Sequence, residues 1–449
     1  MLKFFLYGVL LSVFSVQAST TTFKNGFYLN PETKQIEPIS FKVQDGFITS
    51  LQEVKERPAQ QVIDLQGKLV VPGMIDMHTH GWGNASLRNN DDYQYIGLRG
   101  TANAMLYAGV HGWLDLFNDE VQILNYRDQH HSRHRQESEV FAAGPCFTAS
   151  GGHCSQFGTP TRIIDSPADV EKEVSALAIR KPNVLKVVYH TKSDAPTIDK
   201  PTLKAFLAKA KQLNIPSAVH VGNWDDVRTA AEFGADAVTH LPWSAMPADI
   251  AVLMSENHTA IIPTVGLLAE LKLLQKSAHL PDYAARLTKA LVVDELTSQF
   301  PIEGKNRDYL AWLNKYPEAM THMANSLLTL HAEGVKIMIG SDAGNEAMYQ
   351  GVGFHREMAH LQAMGIPANE LLLAASNNAY QFLGLNWGLK PGAPAHFSVF
   401  DKRLLEDISM SHNVQTIYSY GKEVQRAGLL QFAKPGWWQY SQLFLGFED

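Results

Sequence analysis

Val70-Val71-Pro72-Gly73-Met74-Ile75-Asp76-Met77-His78-Thr79-His80 is the stretch on which the reading of this chain turns. Val70, Val71, Met74 and Ile75 make a buried-strand pattern, broken briefly by Pro72-Gly73, and two histidines stand at its end. Alternation sends residues i and i+2 of a strand to one face, so His78 and His80 are predicted to point the same way at a strand lip. Two imidazoles so placed can hold a metal ion between them. Hydrogen-bonded core histidines are also common, so the metal reading needs further ligands from elsewhere in the chain.

Downstream of His80, helical and strand patterns alternate, the signature of parallel α/β architecture. A helix is predicted over 98–107, closed by Gly109, and a strand over 111–117. A strand over 140–148 runs into the glycine-rich loop 150–158, and a helix over 169–180 leads to a strand over 184–189. Pro201 opens a helix with Leu203, Phe206, Leu207, Ala210 and Leu213 at helical spacing. The strand over 215–219 ends in His220. A helix capped by Asp225 and stopped at Gly234 follows, and the strand over 237–239 ends in His240. A strand over 260–265, a long helical insertion over 267–316 and a helix over 321–332 precede the strand 335–339, which enters Gly340-Ser341-Asp342. Helices are then expected over 357–364 and 369–383. Counted from Val70, these are eight strands. Parallel strands with crossover helices in that number close into a (β/α)8 TIM barrel with its active site at the strand C-termini.

Upstream, residues 21–68 read as short strands punctuated by Asn25-Gly26, Asn30-Pro31 and Asp45-Gly46. Short strands return after Lys390, at 397–400 and 414–418. The α/β barrel (70–389) is therefore expected to carry a small β-sandwich built from both chain ends (19–69 and 390–430). Residues 1–18 read as an export signal: Lys3, an apolar run over 4–16 and Val16-Gln17-Ala18 before Ser19. That run is shorter than the ~20 residues of a spanning helix. No cysteine stands at the cleavage point to accept a lipid. A periplasmic or secreted protein without a stable membrane anchor is expected. The tail 431–449 is aromatic (Trp437, Trp438, Tyr440, Phe444, Phe447) and is expected to pack on the barrel or to form a homo-oligomer contact.

The chain has 449 residues, enough for a large barrel and a modest second domain, with a formal charge of -7. Without a basic run to follow phosphates, no nucleic-acid partner is expected. The two cysteines, Cys146 and Cys154, fit either a disulfide or two unpaired small residues, and their spacing alone does not choose.

The polar residues at the predicted strand ends are His78, His80, Lys186, His220, His240 and Asp342. Each has an ordinary explanation alone, but in a barrel all of them open onto one volume. With this set in this order, and with the Pro-Gly-Met-Ile-Asp-Met-His-Thr-His motif, the chain resembles the amidohydrolase superfamily over nearly its whole length. The Gly151-Gly152-His153 loop and the Leu185-Lys186-Val187-Val188-Tyr189 strand are similar to the branch of imidazolonepropionase-related proteins and Xaa-Pro dipeptidases. The resemblance implies two divalent metal ions, zinc by default. His78, His80 and Asp342 would hold one, His220 and His240 the other, and a carboxylated Lys186 would bridge them. A one-ion arrangement through His78, His80, His220 and Asp342 is the alternative, disfavoured because the mononuclear relatives lack a lysine on this strand.

What this implies is hydrolysis of an amide or peptide-like bond in a small-molecule substrate (a dipeptide, an N-acyl amino acid or a cyclic amide) by a metal-bound hydroxide. Asp342 would be the proton shuttle. His153 would bind the carbonyl oxygen, unless it is a solvent-facing loop residue. Trp82, Tyr189 and His355 are candidates for the pocket wall or for ordinary packing. Asn223 stands where deaminases of the superfamily carry glutamate, which disfavours deamination. Gly222 stands where the dipeptidases carry tyrosine, which weakens Xaa-Pro specificity. His396 replaces an aspartate at a structural position. The rival readings are a lactone, carboxylic ester or phosphoester hydrolase using the same site, and a non-catalytic metal-binding protein of the envelope.

Overall fold

The N-terminal strands are β1 (Thr20–Leu29), β2 (Ile36–Gln44), β3 (Phe47–Leu51), β4 (Gln61–Asp64) and β5 (Leu69–Pro72). The computed structural model describes residues 20–51, 61–81, 97–133, 136–276, 314–345 and 348–429. The expected leader (1–18), the aromatic tail (431–449), Trp82 and residues 277–313 of the expected insertion lie outside these residues. Asp45 and Gly46 take positive φ (52° and 90°) and make the hairpin turn between β2 and β3. Asn25-Gly26 is not a turn between strands. It is an irregularity within β1, where the pairing with β2 shifts register between Phe23 and Gly26. The strand expected through Val70 and Asp76 is likewise two strands. β5 stays with the N-terminal sheet, and β6 (Met74–Thr79) begins the barrel beyond Gly73.

β6 pairs in parallel with β7 (Val110–Asp115), and β7 with β8 (Glu139–Ala142). The third strand, expected as one run, is interrupted at Gly144-Pro145 and resumes as β9 (Phe147–Thr148). β9 pairs with the short β10 (Arg162–Ile163) and with β11 (Leu185–Val188). β12 (Ser217–His220), β13 (Ala237–Thr239) and β14 (Ala260–Ile262) continue the parallel order. The eighth strand, residues 335–339, is held by individual bonds: Ile261 N donates to Lys336 O and Met338 N to Ile261 O, each at 2.9 Å. On its other side Met77 N donates to Ile339 O at 2.8 Å and Asp342 N to His78 O at 2.7 Å. These bonds close the (β/α)8 barrel.

The helices α1 (Gly97–Tyr107), α2 (Glu120–Arg133), α3 (Pro167–Ala178), α4 (Lys200–Leu213), α5 (Trp224–Glu232), α6 (Ile250–Glu256), α7 (Gly266–Lys276) and α8 (Tyr316–Ala332) alternate with the strands. α9 (Val352–Ala363), α10 (Ala368–Ala374) and α11 (Asn377–Leu383) follow them; the single helix expected over 369–383 breaks near Ser376. α4 buries Leu203, Phe206, Leu207 and Ala210, as its spacing requires, and Asp199 caps it by accepting from Thr202 N. α5 is capped by Asn223, not by Asp225. The Asn223 side chain accepts from Asp225 N and Asp226 N, and both aspartates fall in the first turn, where the helix dipole favours negative charge. No helix among the described residues is long and apolar enough to cross a membrane.

The chain returns as β15 (Phe397–Phe400), β16 (Thr416–Ser419) and β17 (Lys422–Glu423), and β15 pairs antiparallel with β5. Strands from both chain ends thus share one sheet, ordered β17-β16-β15-β5-β1-β2-β3, with β4 beside β1. The sheet folds over an aromatic core in which Phe23 stacks on Phe41 at 5.0 Å and Phe397 on Tyr418 at 4.7 Å. His396 is structural: its Nε2 lies 3.1 Å from Glu139 Oε1, at the start of β8, and Tyr420 donates to the same oxygen. This network fastens the sandwich to the barrel.

Two glycines let the last strand approach the first. A β-carbon at Gly340 would overlap Ile262 and stand 2.8 Å from His78 Cβ; one at Gly344 would overlap His80 O. Gly340→Ala must therefore push the closing strand away from His78. The expected cost is about 1–3 kcal/mol of stability, the usual range for overpacking, read as a lower urea midpoint. An unchanged midpoint would show that the contact yields freely.

Candidate metal centre

The fourth, fifth and sixth strands alternate small or apolar residues low in the barrel with polar ones one step above. Val184, Ala218 and Ala237 belong to the inner core, so Lys186, His220 and Thr239, two residues on, stand over it. At this level the six predicted ligands come together. His78 Nε2 and His80 Nε2 lie 3.3 and 3.0 Å from Asp342 Oδ1. His240 Nε2 lies 2.9 Å from His220 Nδ1, and Lys186 Nζ donates to Thr239 Oγ1 at 2.8 Å. One donor atom from each of His78, His240 and Asp342 lies within 4.8 Å of the other two. This tight set cuts across the expected division, which placed His240 with a different ion from His78 and Asp342.

The chemistry of the donors fits a divalent cation. Burial holds the His78 and His220 imidazoles well below their ordinary 6.5 and brings His240 down to about 3. At neutral pH these rings are uncharged, and a neutral imidazole carries one nitrogen lone pair that can coordinate a cation. Burial opposes the charge of Asp342, but His78 and His80 outweigh it and hold its carboxyl below the usual carboxylate range. Asp342 Oδ1 and His78 Nδ1 are buried without an aligned hydrogen bond, a costly state for polar atoms unless a cation satisfies such a cluster. Burial also lowers Lys186 to about 8, which makes its neutral amine accessible near physiological pH. Nitrogen and carboxylate donors suit zinc, and manganese, iron or cobalt can take such sites.

Strained backbone marks the same rim. His240, Thr264 and Asp342 have φ of 75°, 50° and 59°, a region that favours glycine. Such strain costs of order 1–3 kcal/mol per residue and persists where the surroundings enforce it. Here the enforcing contacts are visible. Thr264 Oγ1 lies 2.8 Å from His240 Nδ1, and Asp76 accepts from Ser341 N at 2.9 Å and from Ser341 Oγ at 2.5 Å.

These supporting residues were not read from the sequence. Asp76 had a signal, because the i, i+2 spacing of His78 and His80 extends back to it. Asp115 accepts from Gly81 N at 2.7 Å and so orders the chain just after His80, but it carries no motif. Thr239 and Thr264 look like ordinary β-branched strand residues.

His153 faces the site. Its ring packs on His220 with centroids 4.6 Å apart, and burial lowers it to about 4. The Gln156 amide donates to His153 Nδ1 at 3.1 Å, which leaves the ring proton on Nε2. Beside it is a residue absent from the predicted set. His190, one position after Tyr189, has its ring 5.8 Å from that of His220 and fills the space where any side chain at Gly222 would lie. Gly222 therefore does not empty the pocket at that point; His190 occupies it. Tyr189 is buried in the large barrel core. His355 does not line the site, because its nitrogens are engaged by Ser411 Oγ and Ala108 O, both at 2.8 Å.

Because a ligating histidine depends on the partner of its other nitrogen, Thr264→Val is expected to weaken metal retention about 10–100-fold. Competition with a chelator measures this. Unchanged retention would show that His240 is oriented without Thr264.

Known proteins share this fold. The fold matches the solved structure of a Xaa-Pro dipeptidase with bound methionine at a TM-score of 0.72 and 19% identity, covering 90% of this chain and all of that one (100%). It also matches A. niger ochratoxinase at a TM-score of 0.67 and 16% identity, covering 91% of this chain and 96% of that one. A dihydroorotase from Bacillus thuringiensis (strain Al Hakam) is 45% identical over 58 residues, 13% of each protein; the match thus spans about an eighth of that curated relative. The model of the amidohydrolase family matches residues 69–424, and the chain belongs to that family of metal-binding hydrolases.

Proposed function

We propose that this chain hydrolyses an amide or peptide-like bond in a small molecule such as a dipeptide, an N-acyl amino acid or a cyclic amide. It would do so with two divalent ions held by His78, His80, His220, His240, Asp342 and a carboxylated Lys186. The observation that carries the reading is the convergence of the His78 and His80 imidazoles on Asp342 at 3.3 and 3.0 Å, inside a closed barrel. The neighbours add weight, since a Xaa-Pro dipeptidase and an ochratoxinase share the fold. Divalent ions in such a site supply Lewis acidity and lower the pKa of water towards ~7.

The chain's own groups do the rest. Asp342, ionised and adjacent to both His78 and His80, accepts the proton of the attacking water and delivers it to the leaving nitrogen. His153, neutral with its proton on Nε2, donates to the carbonyl oxygen as negative charge develops there. His190 stands one ring further out, where a substituent of the acyl or leaving group would meet it. Lys186, with its amine lowered to about 8, can react with carbon dioxide as a free base, and the resulting carbamate is an anionic two-oxygen ligand.

A panel of dipeptides, N-acyl amino acids, lactones and aryl phosphates, offered to metal-replete protein, tests the reading. Turnover confined to lactones or phosphates would overturn it. Asp342→Asn keeps the size and a weak oxygen ligand but carries no proton. It should cost ~10²–10⁴ in turnover of an amide, and much less for an ester whose leaving group departs unaided. Equal losses would assign Asp342 to ligation alone.

Lys186→Ala should lose metal and activity together, with partial rescue by short carboxylic acids. At fixed dissolved carbon dioxide, reloading of metal-free wild-type protein should quicken as pH rises from 6 to 8. The free amine gains about tenfold per unit below its pKa. A pH-independent rate, with no rescue of the variant, would exclude the carbamate.

A further inference from the structure

The two cysteines bracket the loop that delivers His153. Cys146 immediately precedes β9, and Cys154 immediately follows His153. Both are buried, in a small apolar cluster with Phe117 and Val188. Both are free thiols in this structure, and their Sγ atoms lie 2.7 Å apart, with Cys154 Sγ donating to Cys146 Sγ, closer than the ~3.5–4.0 Å at which even non-bonded carbon atoms settle. Cys154 also has φ 88°, a conformation that favours glycine. The chain nonetheless keeps a side chain there, and that side chain meets the other cysteine.

We propose that Cys146 and Cys154 form a disulfide that clamps the Gly151-Gly152-His153 loop to the third barrel strand and holds the His153 ring against His220. Two other roles for the pair fit less well. Burial pushes the Cys146 thiol well up, leaving little of the thiolate a nucleophile needs. Among the described residues the clustered metal donors are His78, His240 and Asp342, with no sulfur.

The oxidation is a thiol–disulfide exchange. One S–S bond forms between Cys146 and Cys154, their two thiol protons and two electrons pass to a small-molecule disulfide, and that molecule's S–S bond breaks to give two thiols. The link itself does not depend on the hydrolase reading. Its consequence for catalysis does, since His153 is then a group positioned over the reacting carbonyl.

The experiment treats full-length, metal-loaded protein with oxidised glutathione, both folded and during refolding, then denatures it in N-ethylmaleimide and measures its mass. The expected product takes up no maleimide and is two hydrogens lighter than the reduced chain; prior dithiothreitol should allow two maleimides. Two maleimides after both oxidising treatments overturn the disulfide, whatever the protein hydrolyses.

On an amide substrate that is turned over, reduction should lower kcat roughly ten- to hundredfold at unchanged metal content, the scale of misplacing a group by about 1 Å. Cys154→Gly suits the backbone but removes the link, and should show the same loss with no response to reductant. Cys146→Ser should behave alike. In a His153→Ala background reduction should change nothing. A disulfide whose reduction leaves wild-type kcat intact overturns the clamp.

Discussion

The bond from Asp342 N to His78 O, 2.7 Å long, joins the last barrel strand to the first, and the metal centre depends on it. It is a backbone bond, made without the side chain of either residue. Its geometry brings the Asp342 carboxylate to the two imidazoles of the opening motif. Without this closure the chain would hold histidines on one edge of an open sheet and the aspartate on the other. Gly340 and Gly344 permit the approach by having no side chain. Asp76 secures it from below by accepting from both the backbone and the hydroxyl of Ser341.

Closure also explains the electrostatics. Once the ring of strands shuts, His78, His220 and His240 lose water, which disfavours their protonation, while the histidines beside Asp342 hold its carboxyl below the usual range against the same loss of water. Lys186, buried among the same groups, moves towards neutrality. Desolvation by the barrel therefore favours the uncharged, coordinating form of His78, His220, His240 and Lys186, while their neighbours keep Asp342 ionised. In water the same residues would need no partner and would offer no site.

Much of this was legible in the sequence, because strand alternation and strand-end placement are short-range signals. The six candidate positions were all read from strand ends, and the structure brings these residues to one rim. The errors occurred where one local signal met a competing one. Asp225 looked like a cap, but Asn223 lies two residues earlier, in extended backbone, and reaches two amides. Asn25-Gly26 has turn chemistry, yet strand pairing absorbed it as an irregularity. Val70-Val71 reads as continuous with Met74-Ile75, and only the pairing of β5 with β15, more than three hundred residues later, assigns it to the other domain. The supporting groups Asp115, Thr239 and Thr264 were invisible because their roles are set by contacts remote in sequence. His190 was missed because its meaning lies in the space above Gly222, a property of two strands together.

The shared sheet has a consequence for how the chain is made. β5 is flanked by β1 on one side and β15 on the other, so its second edge has no partner until Phe397–Phe400 leaves the ribosome. Domains generally fold as units, the N-terminal ones first during synthesis, but this N-terminal domain lacks part of its own core until the barrel between its halves has been synthesised. Val70, Phe23 and Phe41 wait for Phe397 and Tyr418. During that interval the nascent chain presents an apolar sheet with an open edge, the kind of surface that chaperones shield. The order of birth is thus reversed for this half: the catalytic barrel can close before the domain that precedes it is complete.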